Sequence, residues 1–214
     1  MKAIIYGAGG HAKVVADILL KNSKLELAAF VDDRKQNSNL LGHPVISEKE
    51  FFSDSSLISG VVAVGDNSVR SKIVEKILHN KASFKFLSLI HPNAVIGLES
   101  KVGEGSVVMA GAILNPSAVV GNHCIVNTRS SLDHDAELGE FASIGPGVSL
   151  GGNCHVGTFT AIGIGASVSH GVGIGKHSVI GGGAFADKDI GDFVVAFGVP
   201  CKEIRKRTEG ERYL

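Results

Sequence analysis

Nine histidines are the natural candidates for proton transfer near neutral pH, and one of them has unusual neighbours. His134 stands in Asp133-His134-Asp135, so a carboxylate is at hand to orient the ring and raise its basicity. Such a group suits a general base that draws a proton from a nucleophile, and both Asp135 and Asp133 are open as its partner. A second constellation lies near the chain start. Gly7-Ala8-Gly9-Gly10-His11-Ala12 follows the apolar run Lys2–Tyr6 and precedes a helical pattern through Val14, Val15, Ile18 and Leu19. Backbone amides at a strand–glycine-turn–helix corner can hold a diphosphate, helped by the helix dipole. Asp32 follows Gly7 by 25 residues, about where an acidic residue meets a ribose hydroxyl. A plain tight turn remains the competing reading of both segments.

The elements that must position these groups differ between the two halves. In the first, Lys2–Tyr6, Leu25–Val31, Ser59–Val64 and Phe84–Ile90 read as strands, and Asp66 or Asn67 caps a helix carrying Val69, Ile73 and Ile77. Strands separated by crossover helices imply a small parallel α/β sheet. About four strands are too few for a full dinucleotide fold, which uses two three-strand halves. One nucleotide-sized ligand, a nucleoside diphosphate carrying something else, suits this half better.

From Ile96 to Ile180 an aliphatic residue recurs at every sixth position, fifteen times without a slip. Four places after each sits a small residue, with Val148 and Val172 as the larger exceptions. Directly after the aliphatic, glycine fills ten of the fifteen hexads, and Asn115, Asn127 and Asp133 fill three more. These residue types tolerate left-handed or tightly turned backbone, so they read as corners between short strands. A period of six sustained this long is a parallel β-helix, three hexads to a triangular coil. Domain limits follow: 1–87 for the α/β nucleotide-binding domain, 88–190 for the β-helix, and 191–214 for a C-terminal tail. In this frame His134 and His170 lie two coils apart on one face, about 10 Å, with Gly152 on the coil between. His123, His155 and His177 read as exposed strand residues.

Composition excludes several classes. Lys and Arg total 21 and Asp and Glu total 21, a balance that suggests neither a nucleic-acid partner nor an anionic membrane surface. Hydrophobic residues make up 44% of the chain, which excludes a disordered protein. No stretch approaches the roughly 18 apolar residues of a membrane span, so no membrane insertion is expected. Cys124, Cys154 and Cys201 follow no metal-ligand spacing and read as free thiols. With no leader pattern after Met1-Lys2, a cytoplasmic location is expected. Of the 28 glycines, six lie in residues 1–87 and 22 in residues 88–214, the division that the hexads explain.

The ordered set Tyr6-Gly7-Ala8-Gly9-Gly10-His11, Val31-Asp32-Asp33, Gly65-Asp66-Asn67 with Arg70, Ile90-His91-Pro92, Asn127-Thr128 with His134, and Gly198-Val199-Pro200 spans nearly the whole chain. It resembles the hexapeptide-repeat bacterial acetyltransferases that N-acetylate a UDP-4-amino-sugar, together with their sialic-acid O-acetyltransferase relatives. The resemblance implies a left-handed prism, a homotrimer with active sites between subunits, acetyl-CoA as co-substrate, no metal, and a role in glycan biosynthesis. It implies His134 as general base and Asn127 as a hydrogen-bond partner of the acceptor amine. That family usually has Glu after the histidine, where this chain has Asp135. The resemblance further places Gly9, Gly10 and His11 at the diphosphate and sugar, Asp32 and Asp33 near the nucleoside, and Gly65, Asp66, Asn67 and Arg70 around the pocket. Backbone near Ser143, Ile164 and Gly182 would meet acetyl-CoA, with Lys202 at its phosphates, although a solvated basic tail reads equally well. O-acetylation of a sialic acid or other hydroxyl, and a dTDP-linked amino-sugar, are the neighbouring alternatives. A zinc hydratase like the γ-class carbonic anhydrases needs three converging histidines, and His134, His155 and His170 are not spaced as that family's ligands. A non-catalytic nucleotide-sugar scaffold is the remaining class.

Overall fold

The computed structural model describes residues 1–213 of the 214-residue chain. Its first part is built from β1 (Lys2–Tyr6), α1 (Gly10–Leu20), β2 (Glu26–Val31), β3 (Ser38–Leu40), β4 (His43–Ile46), α2 (Glu48–Ser53), β5 (Ser59–Val62), α3 (Asn67–Asn80) and β6 (Lys85–Phe86). They form a six-stranded sheet in the order β3-β4-β2-β1-β5-β6, parallel except for the β3–β4 hairpin. The sequence reading of four strands therefore missed β3 and β4, whose short polar run Ser38-Asn39-Leu40 carries no strand period. It also merged two elements at Phe84–Ile90. Lys85–Phe86 closes the α/β sheet, while Leu89–Ile90 already opens the prism.

From β7 (Leu89–Ile90) to β23 (Phe185–Ala186) two-residue strands recur every six residues and stack in three faces, the left-handed parallel β-helix. Each strand pairs in parallel with the one 18 residues later, Val107 with Ile125 and Ile125 with Ser143. The hexad aliphatics fill the interior, with Leu114, Leu132, Ile144 and Ile180 wholly buried. The segment 191–214 is read from sequence as a tail; its described part continues the first face with β24 (Val194–Phe197) and adds β25 (Lys202–Lys206) antiparallel to it.

The corners obey two separate constraints, which corrects the sequence reading of the glycines. The left-handed residue lies three places after the aliphatic, as at Asp135 (φ 58°), Phe141 (φ 57°) and Gly147 (φ 67°). The glycine directly after the aliphatic answers to space instead. A Cβ on Gly163 would stand 2.6 Å from the Gly182 nitrogen on the next coil.

Along one prism edge the left-handed positions hold His123, Phe141, Phe159, His177 and Phe193, stacked with ring centroids 4.9, 5.1, 4.7 and 4.8 Å apart. Left-handed backbone costs a side-chain-bearing residue roughly 1–2 kcal/mol. Ring stacking returns about 0.5–1.5 kcal/mol per pair, and burial of the rings adds to it. His123 and His177 are thus ladder members and not the exposed strand residues expected; His123 is buried, and burial first, then the Arg70 charge, holds its pKa at about 4.

This edge is where the two parts join. Arg70 is 1% exposed and donates to the His123, Val64, Gly65 and Phe141 carbonyls and to Asn67 Oδ1 at 2.7–3.0 Å. Asn67 Nδ2 donates to the Phe159 and Thr160 carbonyls, and Asp66 caps α3 by accepting from Val69 N at 2.9 Å. Of the residues expected around the nucleotide pocket, Asn67 and Arg70 therefore have their polar groups committed to the joint, and Asp66 caps the helix that carries them. All five guanidinium N–H groups are used. A buried guanidinium loses several kcal/mol of hydration, and only a full set of bonds at roughly 1.5–3 kcal/mol each offsets that. Arg70→Met should accordingly lower unfolding free energy by roughly 3–5 kcal/mol in urea denaturation, and a loss under about 1 kcal/mol would contradict the clamp.

Candidate active site

Two clefts flank the joint. The first, about 470 Å³, lies at the carboxyl ends of β1 and β2 and is lined by Gly7 to His11, Asp32, Asp33, Glu48 and Gly65. Gly7 has φ 110°, and a Cβ there would stand 2.9 Å from the Ala63 carbonyl, so the turn itself demands it. Gly9 and Gly10 are different. A Cβ on either would meet nothing within 4 Å, so the missing side chains leave open floor. The α1 N-terminus above that floor has no side-chain cap and no acidic residue in its first turn, which leaves its amides and positive dipole end to a ligand. Asp32 ties down the loop, accepting from Ala8 N at 3.1 Å and Arg34 N at 3.0 Å. Asp33 accepts from Glu48 N at 2.8 Å. Glu48, unmarked in the sequence, takes hydrogen bonds from the Tyr6 hydroxyl and from Lys76. Burial works to raise its carboxyl, but the Lys76 and Tyr6 bonds outweigh it and hold the group below the usual carboxylate range.

The second cleft, about 510 Å³, runs along the first face of the prism. That face is divided. On its lower coils Leu89, Val107 and Ile125 are buried with Ala12, Val15 and Leu19 of α1. Above them Ser143, Ala161 and Val179 line the cleft together with Asn127, Ile164 and Gly182. His11 and Gly65 line both clefts, so the two meet there. Burial, then the Arg70 charge, lowers the His11 pKa to about 4, and its buried Nε2 has no hydrogen-bond partner among the described residues. A neutral imidazole with an unpaired nitrogen is left facing a ligand site. Tyr213 also lines this cleft, a residue that sequence reasoning missed because nothing in its local pattern marks it. Lys202 lines neither cleft. Arg205 pairs with Glu211 at 2.6 Å, and Arg207 is buried with its guanidinium on the His177 carbonyl, so neither is a free cation.

His134 lies on another face. It follows Ser131–Leu132, one corner beyond Asn127, and lines neither cleft. Its side chain is 51% exposed, and Nδ1 sits 2.8 Å from Asp135 Oδ2. The left-handed backbone of Asp135 lets this shorter carboxylate reach the ring. Asp133 is committed elsewhere, accepting from His134 N at 2.8 Å and Asn115 Nδ2 at 2.7 Å. The bond to Asp135 raises the His134 pKa above the ordinary histidine value; slight desolvation opposes it, and the charges of Asp133 and Asp135 add to it. The His170 ring is 6.0 Å away, nearer than the two-coil spacing suggests, because the rings lean together over Gly152. A Cβ on Gly152 would lie 2.5 Å from His134 Nε2. Among the described residues no three His, Cys, Asp or Glu side chains converge as a metal site, and no helix is long and apolar enough to cross a membrane.

A glycine-turn nucleotide cleft docked on a hexapeptide prism defines a sugar-nucleotide acyltransferase architecture, and comparison with known proteins agrees. The family described as PglD N-terminal domain matches residues 2–77. The crystal structure of PerB from Caulobacter crescentus, in complex with CoA and GDP-perosamine, superposes with a TM-score of 0.89 at 36% identity over 96% of this chain and 98% of that one. The acetyltransferase domain of PglB from Neisseria gonorrhoeae gives 0.86 at 36% identity over 95% and 99%, and it is also solved with acetyl coenzyme A. UDP-N-acetylbacillosamine N-acetyltransferase of Bacillus subtilis (strain 168) is 34% identical over 112 residues, which span 50% of this chain and 50% of that relative. The chain belongs to the hexapeptide-repeat nucleotide-sugar acetyltransferases.

The His134–Asp135 pair makes a direct prediction. In an NMR titration the His134 ring should titrate above the ordinary histidine value, and Asp135→Asn should move it down. A ring unaffected by that substitution would show that Asp135 does not set its basicity.

Proposed function

We propose that the protein is an acetyl-CoA-dependent N-acetyltransferase acting on the 4-amino group of a UDP-linked amino-dideoxy sugar in bacterial glycan biosynthesis. The observation that carries this reading is the meeting of the two clefts at His11 and Gly65. A nucleoside diphosphate in the first cleft, its phosphates on the Gly9, Gly10 and His11 amides, directs its sugar to that junction. A pantetheine arm along Ser143, Ile164 and Gly182 directs its thioester to the same point. His11 and Asn127 then lie at the amine.

His134 completes the site from a neighbouring subunit of a homotrimer. Two observations support this. His134 is absent from its own chain's clefts, and its column begins at Leu98, which is 82% exposed beside the exposed Val95 and Ile113. An apolar rim of this kind on a prism face suits contact with a second copy. The neutral His134 takes a proton as the amine attacks the acetyl carbonyl. The C–N bond forms, the thioester C–S bond breaks, and the thiolate leaves and is protonated. Because the base must be unprotonated, kcat/KM falls as pH drops through its raised pKa. Use of acetyl-CoA, together with three free buried cysteines, favours a cytoplasmic setting.

A GDP-linked 4-amino-sugar is the second reading, favoured by the likeness to the GDP-perosamine complex over 96% of the chain. Thiol release from acetyl-CoA against UDP-, GDP- and dTDP-4-amino-sugars, with sialic acid as hydroxyl control, separates them. Highest kcat/KM with the UDP sugar is expected; release with sialic acid alone would overturn amine transfer. His134→Ala should lower kcat by roughly 10²–10⁴-fold with nucleotide-sugar affinity kept, and retained turnover would sink its role as base.

A further inference from the structure

Tyr213 is held at its hydroxyl and over its ring. Its hydroxyl donates to the Gly65 carbonyl at 3.2 Å and accepts from Asn67 N at 3.1 Å. Ser143 Oγ lies 3.4 Å away and, since the phenol proton is already given to Gly65, acts as the donor. The Arg207 guanidinium sits 5.7 Å from the ring centroid. Arg207 is itself buried and held by the His177 carbonyl at 3.1 Å. Arg207 also donates to the Glu211 carbonyl, and Glu211 in turn pairs with Arg205 at 2.6 Å and accepts from Thr208 N at 3.1 Å. Swinging the ring aside to admit a larger ligand would break these contacts.

Its place in the cleft gives that rigidity a consequence. Tyr213 lines the second cleft beside His11, Asn127 and Ser143, where the thioester and the acceptor amine must meet. From this geometry we infer that the Tyr213 ring is a specificity wall that limits the donor to a short acyl group. The inference rests on the acyl-transfer reading above. The hydroxyl sets the wall's position through Gly65 and Ser143, and the ring supplies its bulk. An acetyl group fits in front of it, whereas a four-carbon acyl chain has to displace a side chain held by both parts of the molecule.

The test compares acetyl-CoA with butyryl-CoA as donors to one amino-sugar nucleotide, using the full chain. Two extra methylenes against a rigid wall should cost the wild type about 10²-fold in kcat/KM. Tyr213→Ala should raise the butyryl-to-acetyl ratio by about 10-fold or more, while Tyr213→Phe, which keeps the ring's bulk but loses the bonds to Gly65, Asn67 and Ser143, should raise it by less. Tyr213→Leu gives the same readout should the alanine variant fail to fold. The ratio is independent of how much active enzyme survives, so a merely structural residue leaves it unchanged. An unchanged ratio in the variants with a smaller side chain, beside an active wild type, overturns the wall. A wild type that transfers no acyl group overturns the acetyltransferase reading itself.

Discussion

The Arg70 guanidinium sits where the α/β sheet meets the prism edge, and both clefts take their relation from it. Two of its bonds go to the Val64 and Gly65 carbonyls just beyond β5, and two go to the corner carbonyls of His123 and Phe141. Gly65 is at once a carbonyl held by this clamp and a lining residue of both clefts. Moving the α/β sheet relative to the prism would therefore cost buried charge-assisted bonds before it changed the spacing of the clefts. Rigidity of this kind is what group transfer needs, since reacting atoms must be brought to contact distance and held there.

The prism contributes by using one face for two purposes. Its lower coils carry Leu89, Val107 and Ile125 outward and are covered by α1, whose N-terminus borders the first cleft. Its upper coils carry Ser143, Ala161 and Val179 and stay open as the second cleft. Helix, turn and cleft thus share one surface, and His11 stands at the boundary. Corner constraints make such a surface possible. The coils pack so closely that Gly163 has no room for a Cβ, while Gly9 and Gly10 leave empty space above the turn. Glycine serves opposite ends in the two halves.

Much of this was legible in the sequence. The unbroken hexads marked the prism, and the glycine turn with Asp32 marked the first cleft. Ser143, Ile164 and Gly182 line the second cleft. What local pattern does not carry is the partner of a polar group. Asp66, Asn67 and Arg70 stood in a motif that pointed to the pocket, yet Asp66 caps its own helix while Asn67 and Arg70 donate to carbonyls 53 to 93 residues away. The same limit hid Tyr213, which reaches Gly65 across 148 residues. It also misplaced the glycine constraint, because only the stacking of coils reveals that backbone from the next turn fills the space where a Cβ would go.

The central claim is that one chain supplies the two clefts and a neighbour supplies His134. Subunit mixing tests it most directly. His134→Ala chains keep the clefts, and Gly10→Asp chains keep the histidine but place a charged side chain on the floor of the first cleft. Each homogeneous protein should be inactive. Mixed at equal amounts, they should recover about a quarter of wild-type thiol release, the share of neighbour pairs that join an intact cleft to an intact histidine around a closed ring. A mixture as inactive as either parent, with exchange of subunits verified, would contradict the account.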